Sequence, residues 1–209
     1  MNPISLLQKE KVLPLVTFKE IEHVAPLCQT LVSAGLNCIE IAYRSELATE
    51  AISIASKQKD LLVGAGTVIT PDQAMEAINA GAQLIIAPGL NSDVINYCKE
   101  KGIPVIPGVC TPTEITNAIG HGLEYLKFFP SESFGGIKTL KAIGGPFPNI
   151  QFMPAGGINP SNFMDYLSLS QVFCCSGSWM VKPEHIETQD FEQIKKNCIQ
   201  ILQSINEEA

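Results

Sequence analysis

The sequence predicts an α/β protein, a single (β/α)8 barrel, on three observations. Eight short apolar runs alternate with longer stretches of helical periodicity, the pattern of a parallel sheet wrapped by helices. Most of the runs end in Gly, Pro or a hydroxyl, where a barrel strand opens into its loop. The length of 209 residues, 45% hydrophobic and 17% charged, suits one domain over residues 1–209 that buries a core and keeps a pocket. A doubly wound open sheet shows the same alternation and is the alternative, although it usually has fewer strands.

A short helix over residues 3–10 comes first, placed to cover the bottom of the barrel. The first run, VLPLVTF, leads into EIEHVAPLCQTLVSAG, whose apolar residues recur at helical spacing and which stops at Gly35, a C-terminal cap. In the second run, NCIEIAY, strand alternation turns Glu40, Ala42 and Arg44 inward and Ile39, Ile41 and Tyr43 toward the helices. The third, LLVGAGTV, runs into TPDQAMEAINAG, opened by Thr70 and Pro71. QLIIAPGL and PVIPGV are the fourth and fifth. The sixth, YLKFFP, places Tyr125, Lys127 and Phe129 on one face and Leu126 and Phe128 on the other. QFMPAGGI and VFCCSGSW complete the set. The exits VGAGT, APGL, IPGV, FFPSES, PAGGI and SGSW all fall at one end of the predicted barrel. Any one of them alone reads as a turn. Six together make room for a ligand against the backbone.

Lys127 interrupts an apolar strand at its centre. Partial desolvation there disfavours the charged form and leaves more free amine to attack a carbonyl, the first step of Schiff-base chemistry. A lysine that reaches the barrel mouth, or pairs with a carboxylate, explains the same residue equally well. Strand two tips the balance, because it adds a carboxylate, Glu40, and the chain's single arginine, Arg44, to the inward face. The planar fork of an arginine suits a carboxylate or a phosphate. A structural pair of Glu40 with Arg44 or Lys127 is the competing reading, but buried pairs are weak sources of stability.

The formal charge of −7 and the scattered lysines leave no basic stripe for nucleic acid. Seven cysteines, at 28, 38, 98, 110, 174, 175 and 198, form no CxxC and no Cys/His cluster, so reduced core residues are expected and no metal site. MNPISLLQKEKVLP lacks a basic, apolar leader, and no apolar run reaches the roughly 18 residues of a membrane span. A cytoplasmic protein is expected. VGAGT lacks the third glycine of a dinucleotide fingerprint. Trp179 is expected to pack beneath the last loop, and His23, His121 and His185 stand isolated.

IEIAYRSELATEAI, VGAGTVITPDQ, AGAQLIIAPGLN, IPVIPGVCTPTEI, LKFFPSESFGGIKTLKAIGGPFP, FMPAGGINPSNFMDYL and GSWM follow one another over nearly the whole chain. In that order they resemble the 2-keto-3-deoxy-6-phosphogluconate (KDPG) aldolases, several of which also act as 4-hydroxy-2-oxoglutarate (KHG) aldolases. The resemblance implies a class I aldolase, a lyase that releases pyruvate from KDPG together with glyceraldehyde 3-phosphate, or from 4-hydroxy-2-oxoglutarate together with glyoxylate. It implies a homotrimer and no cofactor, because the imine supplies the electron sink. It matches Lys127 with the Schiff-base lysine and Glu40 with the general acid/base. Arg44 and Thr67 match the carboxylate-holding positions, Pro88 and Phe129 the pocket lining, and Gly156, Gly157, Gly177 and Ser178 the phosphate end.

Three positions depart from the family pattern: Ala155 where a Thr often precedes Gly-Gly, Ala42-Tyr43 where Thr-Leu is common, and CCS before Gly177. They bear on the aldehyde half rather than on the lysine. A 2-keto-3-deoxy-6-phosphogalactonate aldolase is a near alternative. A phosphate-binding barrel isomerase would use the same glycines but needs no lysine in strand six, and a sugar-phosphate binding module would keep the pocket without turnover.

Overall fold

Asn2 accepts a hydrogen bond from Ile4 N (2.9 Å) and so opens helix α1 (Pro3–Glu10), as seen in a computed structural model that describes residues 2–207. Leu7 of α1 is buried, and Gln8 Nε2 donates to Tyr125 Oη (3.3 Å) at the start of a strand. The helix therefore lies across strand N-termini, where it is predicted.

The strands are β1 (Val12–Val16), β2 (Cys38–Ala42), β3 (Leu62–Gly66), β4 (Leu84–Ile86), β5 (Val105–Ile106), β6 (Gly108–Val109), β7 (Tyr125–Phe128), β8 (Gln151–Pro154) and β9 (Cys175–Gly177). Every predicted run contains one, and the fifth contains two. All pair in parallel. Six form a curled sheet in the order β5-β4-β3-β2-β1-β9, and β6-β7-β8 form a second. Isolated parallel bridges, Phe152↔Val172 and Ala155↔Ser176, join the second sheet to the last strand segment. The division falls at Pro107: Ile106 O still accepts from Ala87 N (3.1 Å) on the β4 side, while Pro107, which has no N–H to donate, faces β7. Its carbonyl still accepts from Lys127 N (2.8 Å) and carries the chain over to β7.

Helices α2 (Val24–Ser33), α3 (Ala48–Ala55), α4 (Pro71–Asn79), α5 (Ser92–Glu100), α6 (Pro112–Gly120), α7 (Gly136–Gly144), α8 (Phe163–Leu167), α9 (Pro183–Glu187) and α10 (Phe191–Glu207) occupy the connections and the C-terminal end. Their ends follow the sequence signals. Gly35 follows α2 at φ +86°, and Thr70 Oγ1 accepts from Gln73 N (3.2 Å) with Pro71 next. Thr111 and Glu114 close a capping box on α6. The strand residues predicted to face the helices, Ile39, Ile41, Leu126 and Phe128, are buried, which gives the near-continuous apolar runs of a parallel sheet. Helix α10 packs on α2, and each buries apolar residues, Cys198 and Leu31 among them.

Candidate active site

Glu40, at the centre of β2, and Lys127, in β7, meet inside the sheet: Lys127 Nζ donates to Glu40 Oε1 at 3.1 Å. Glu40 is 0% exposed and Lys127 4%, so the pair is desolvated and each charge depends on the other. Of the competing ion pairs read from the sequence, it is the one with Lys127 that forms. A third group completes it. Ser176 Oγ, in β9 and also 0% exposed, donates to Glu40 Oε2 at 2.7 Å. The carboxylate is thus held at one oxygen by an amine and at the other by a hydroxyl. Ser176 is absent from the sequence-derived site. The signal for it was the CCS departure, whose meaning depends on a partner 136 residues away.

Small residues make the space. Glu40 is in register with Gly64, and Lys127 with Gly108. A Cβ on Gly66 would lie 2.6 Å from Glu40 Cγ, and one on Gly108 would strike the Pro88 carbonyl. Pro88, predicted to line the pocket, is therefore seated over the strand that neighbours Lys127. Phe129, two residues on from Lys127, has its ring centroid 5.5 Å from Lys127 Nζ, within reach of a cation–π attraction.

Arg44 differs from its predicted place. Strand β2 ends at Ala42, and Arg44 N turns back to Ala42 O (2.8 Å), which carries the guanidinium out to the exposed mouth rather than along the inward face. There Arg44 Nε donates to Thr67 Oγ1 (3.2 Å). Thr67 sits at φ +58°, a left-handed conformation that a β-branched residue adopts only under constraint, and such residues gather at functional sites. Arg44 also lines a cavity of about 130 Å³ together with Thr17, Val181 and Ser178. The two predicted ends of the site, carboxylate and phosphate, therefore share a wall.

Gly156 and Gly157 follow β8 at φ +89° and +87°. Gly156 O accepts from Glu132 N (3.0 Å), and Gly157 O accepts from Asn159 Nδ2 (3.0 Å) and Asn162 Nδ2 (3.2 Å). A trans peptide sets its N–H opposite its carbonyl, so the Gly157 and Ile158 N–H groups point away from these partners. A Cβ on Gly157 would lie 2.5 Å from Glu132 Cγ, which fixes glycine there. Glu132 is anchored in turn by Tyr166 Oη at 2.5 Å, and burial, then the Glu132 carboxylate, push that hydroxyl's pKa upward so that it stays a donor. Gly177 lies beneath Trp179, whose Cε3 would be 2.5 Å from an added Cβ, so the tryptophan packs as expected. Ser178 is exposed.

Among the described residues no three His, Cys, Asp or Glu side chains gather as metal ligands, and no helix is long and apolar enough to cross a membrane. A cavity of about 690 Å³ lined by Lys9, Asn37, Asp60 and Gln83 opens at the strand N-termini, the opposite end from the Arg44 mouth.

Residues 4–197 match the model of the family described as KDPG and KHG aldolase. The KHG/KDPG aldolase of Escherichia coli (strain K12) is 42% identical over 193 residues, 92% of this chain and 91% of that protein. Among solved structures, KDPG aldolase from Legionella pneumophila, with pyruvate captured at low pH as a covalent carbinolamine intermediate, superposes with a TM-score of 0.92 at 37% identity, covering 96% of this chain and 98% of that one. The aldolase of Zymomonas mobilis ZM4 with 3-phosphoglycerate gives 0.88 at 32% identity, covering 95% and 94%.

Proposed function

Since the chain belongs to the family of KDPG and KHG aldolases, we propose that it cleaves KDPG to pyruvate and glyceraldehyde 3-phosphate through an imine on Lys127, with 4-hydroxy-2-oxoglutarate, which yields pyruvate and glyoxylate, as a second substrate. The observation that carries this reading is the buried Lys127–Glu40 pair at 3.1 Å: an amine nucleophile with its proton acceptor in direct contact. The captured pyruvate of the Legionella relative supports it.

Lys127 passes its proton to Glu40, and the free amine attacks C2 of the keto acid. The carbonyl electron pair moves to oxygen, which takes the proton to give a carbinolamine. Loss of water leaves a protonated imine. Glu40 then takes the proton of the C4 hydroxyl. The O–H pair forms the aldehyde carbonyl, the C3–C4 bond breaks, its pair becomes the enamine C2=C3 bond, and the C=N pair returns to nitrogen. Glu40 protonates C3, and water adds to the imine, releasing pyruvate and restoring the amine. No step calls for a metal, because the imine nitrogen accepts the electrons.

Arg44 and Thr67 hold the substrate carboxylate, with the guanidinium's orientation set by Thr67 Oγ1. Pro88 and Phe129 bound the pyruvate pocket. The phosphate goes to the backbone N–H groups about Gly156, Gly157 and Gly177 and to Ser178, after the last two strands. The 3-phosphoglycerate in the structure of the Zymomonas relative supports a phosphate subsite. The architecture is read in the same terms. With β5 and β6 taken as one strand interrupted at Pro107 and the two bridges to β9 as closure, the strands number eight, a single (β/α)8 barrel domain over residues 1–209. The family resemblance points to a homotrimer, and a cytoplasmic location is the reading carried by the sequence.

The test is intact mass after incubation with pyruvate and borohydride, with peptide mapping. A reduced pyruvate adduct on Lys127, lost in Lys127→Ala, is expected; an unmodified chain would overturn the reading.

A further inference from the structure

We propose that Ser176 is a positioning residue for the proton transfers of Glu40, an inference that rests on the roles of Glu40 and Lys127 given above. The terminal torsion of a glutamate side chain is soft and roughly two-fold, so packing alone holds a carboxylate poorly. Here the neighbouring positions on β3 are Gly64 and Gly66, which make room for the glutamate but offer no side chain to bracket its carboxylate. Hydrogen bonds must fix the group instead. Lys127 binds Oε1, and among the described residues Ser176 is the donor to Oε2, at 2.7 Å.

The backbone beneath Ser176 is itself held on both sides. Leu13 of β1 is its register partner on one flank, and Ala155 forms a bridge with it on the other. The hydroxyl is thereby fixed relative to three strands. Across that bridge Ala155 presents only a methyl group, so the hydroxyl at this level of the interior comes from position 176. With Oε2 occupied, Oε1 on the Lys127 side is the oxygen that takes up and gives back protons. Without Ser176, Oε2 is left buried and unsatisfied, and the carboxylate turns toward the lysine to share both oxygens.

Exchange of the methyl hydrogens of pyruvate for solvent deuterium isolates this step. In imine-bound pyruvate the C3–H bond breaks and its proton goes to Oε1. The bonding pair becomes the C2=C3 bond of the enamine while the C=N pair returns to nitrogen, and a deuteron comes back by the reverse path. NMR on the full chain follows the exchange, and borohydride capture reports separately on the imine.

Ser176→Ala should still capture pyruvate on Lys127 at end point, while exchange slows roughly ten- to hundredfold, the size of a lost hydrogen bond to a charged group. Combined with Glu40→Gln, the same substitution should change exchange by less than about twofold, because its target is gone. Ser176→Gly gives the same comparison should the alanine variant fail to fold. Exchange in Ser176→Ala within about twofold of the parent, or slowed by one common factor in both backgrounds as a merely structural role requires, would overturn the proposal and leave the aldolase reading standing. Absence of capture in the parent, or parental exchange in Glu40→Gln, would overturn that reading and this proposal with it.

Discussion

Gly66 and Glu40 exclude each other's bulk: a Cβ on Gly66 would lie 2.6 Å from Glu40 Cγ and 2.9 Å from Cδ. Gly66→Ala should therefore move the carboxylate off Lys127 and lower kcat about a hundredfold, the order expected of an ångström-scale misplacement. Steady-state kinetics check this, with circular dichroism to confirm the fold. A parental kcat would show that the present Glu40 position is not needed.

Arg44 meets the mouth as a fork, with Nε already committed to Thr67 Oγ1. Arg44→Lys keeps the charge but loses the paired donors, so KM for the keto acid should rise about tenfold, the worth of one charge-assisted hydrogen bond. A KM unchanged by the substitution would place the substrate carboxylate elsewhere.

Glu114 stabilises the start of α6. Burial disfavours its charge, but hydrogen bonds from Cys110 and Thr111 outweigh burial and hold its carboxyl below the ordinary value of 4.5. A lowered carboxyl contributes stability that is present above the unfolded value and lost as pH falls through the folded one. Glu114→Gln should thus lower the melting temperature at pH 7 and have a shrinking effect in acid. Thr111→Ala, which removes the other half of the box, should cost about 1 kcal/mol. Melting curves from pH 7 to pH 3 decide the sign.

Burial pushes the thiols of Cys28, Cys98 and Cys198 up to about 12, 11 and 12, and those of Cys38, Cys174 and Cys175 upward as well. The thiolate is the reactive form, so a disulfide reagent at pH 8 should label the native chain at half-buried Cys110 at most, and all seven cysteines after denaturation. Rapid labelling of two or more sites in the folded protein would contradict the packing described.

Much of this was legible in the sequence because strand alternation is local. Lys127 and Glu40 could be placed inward from their own runs alone, and the helix ends at Gly35 and Thr70 from single cap residues. What stayed hidden depends on pairing between distant segments. Ser176 gains its meaning from Glu40, and Gly108 from the Pro88 carbonyl that only the folded chain brings over it. Alternation carried past the end of β2 gives Arg44 an inward face, but the backbone turns there and the rule lapses. Pro107 reads as a strand exit, yet it divides one run between two ladders.

Glu40, Lys127 and Ser176 come from strands near the beginning, the middle and the end of the chain, and the strand bearing Ser176 pairs with β1. A site assembled from such distant segments closes late, after the slow non-local pairings have formed. A growing chain that has emerged only through β8 carries the lysine and the glutamate but not the hydroxyl between β1 and β8. Turnover is thus a report on completed folding. The amine meets the glutamate before the last strand is in place, but the hydroxyl that completes the proton relay arrives only with that strand.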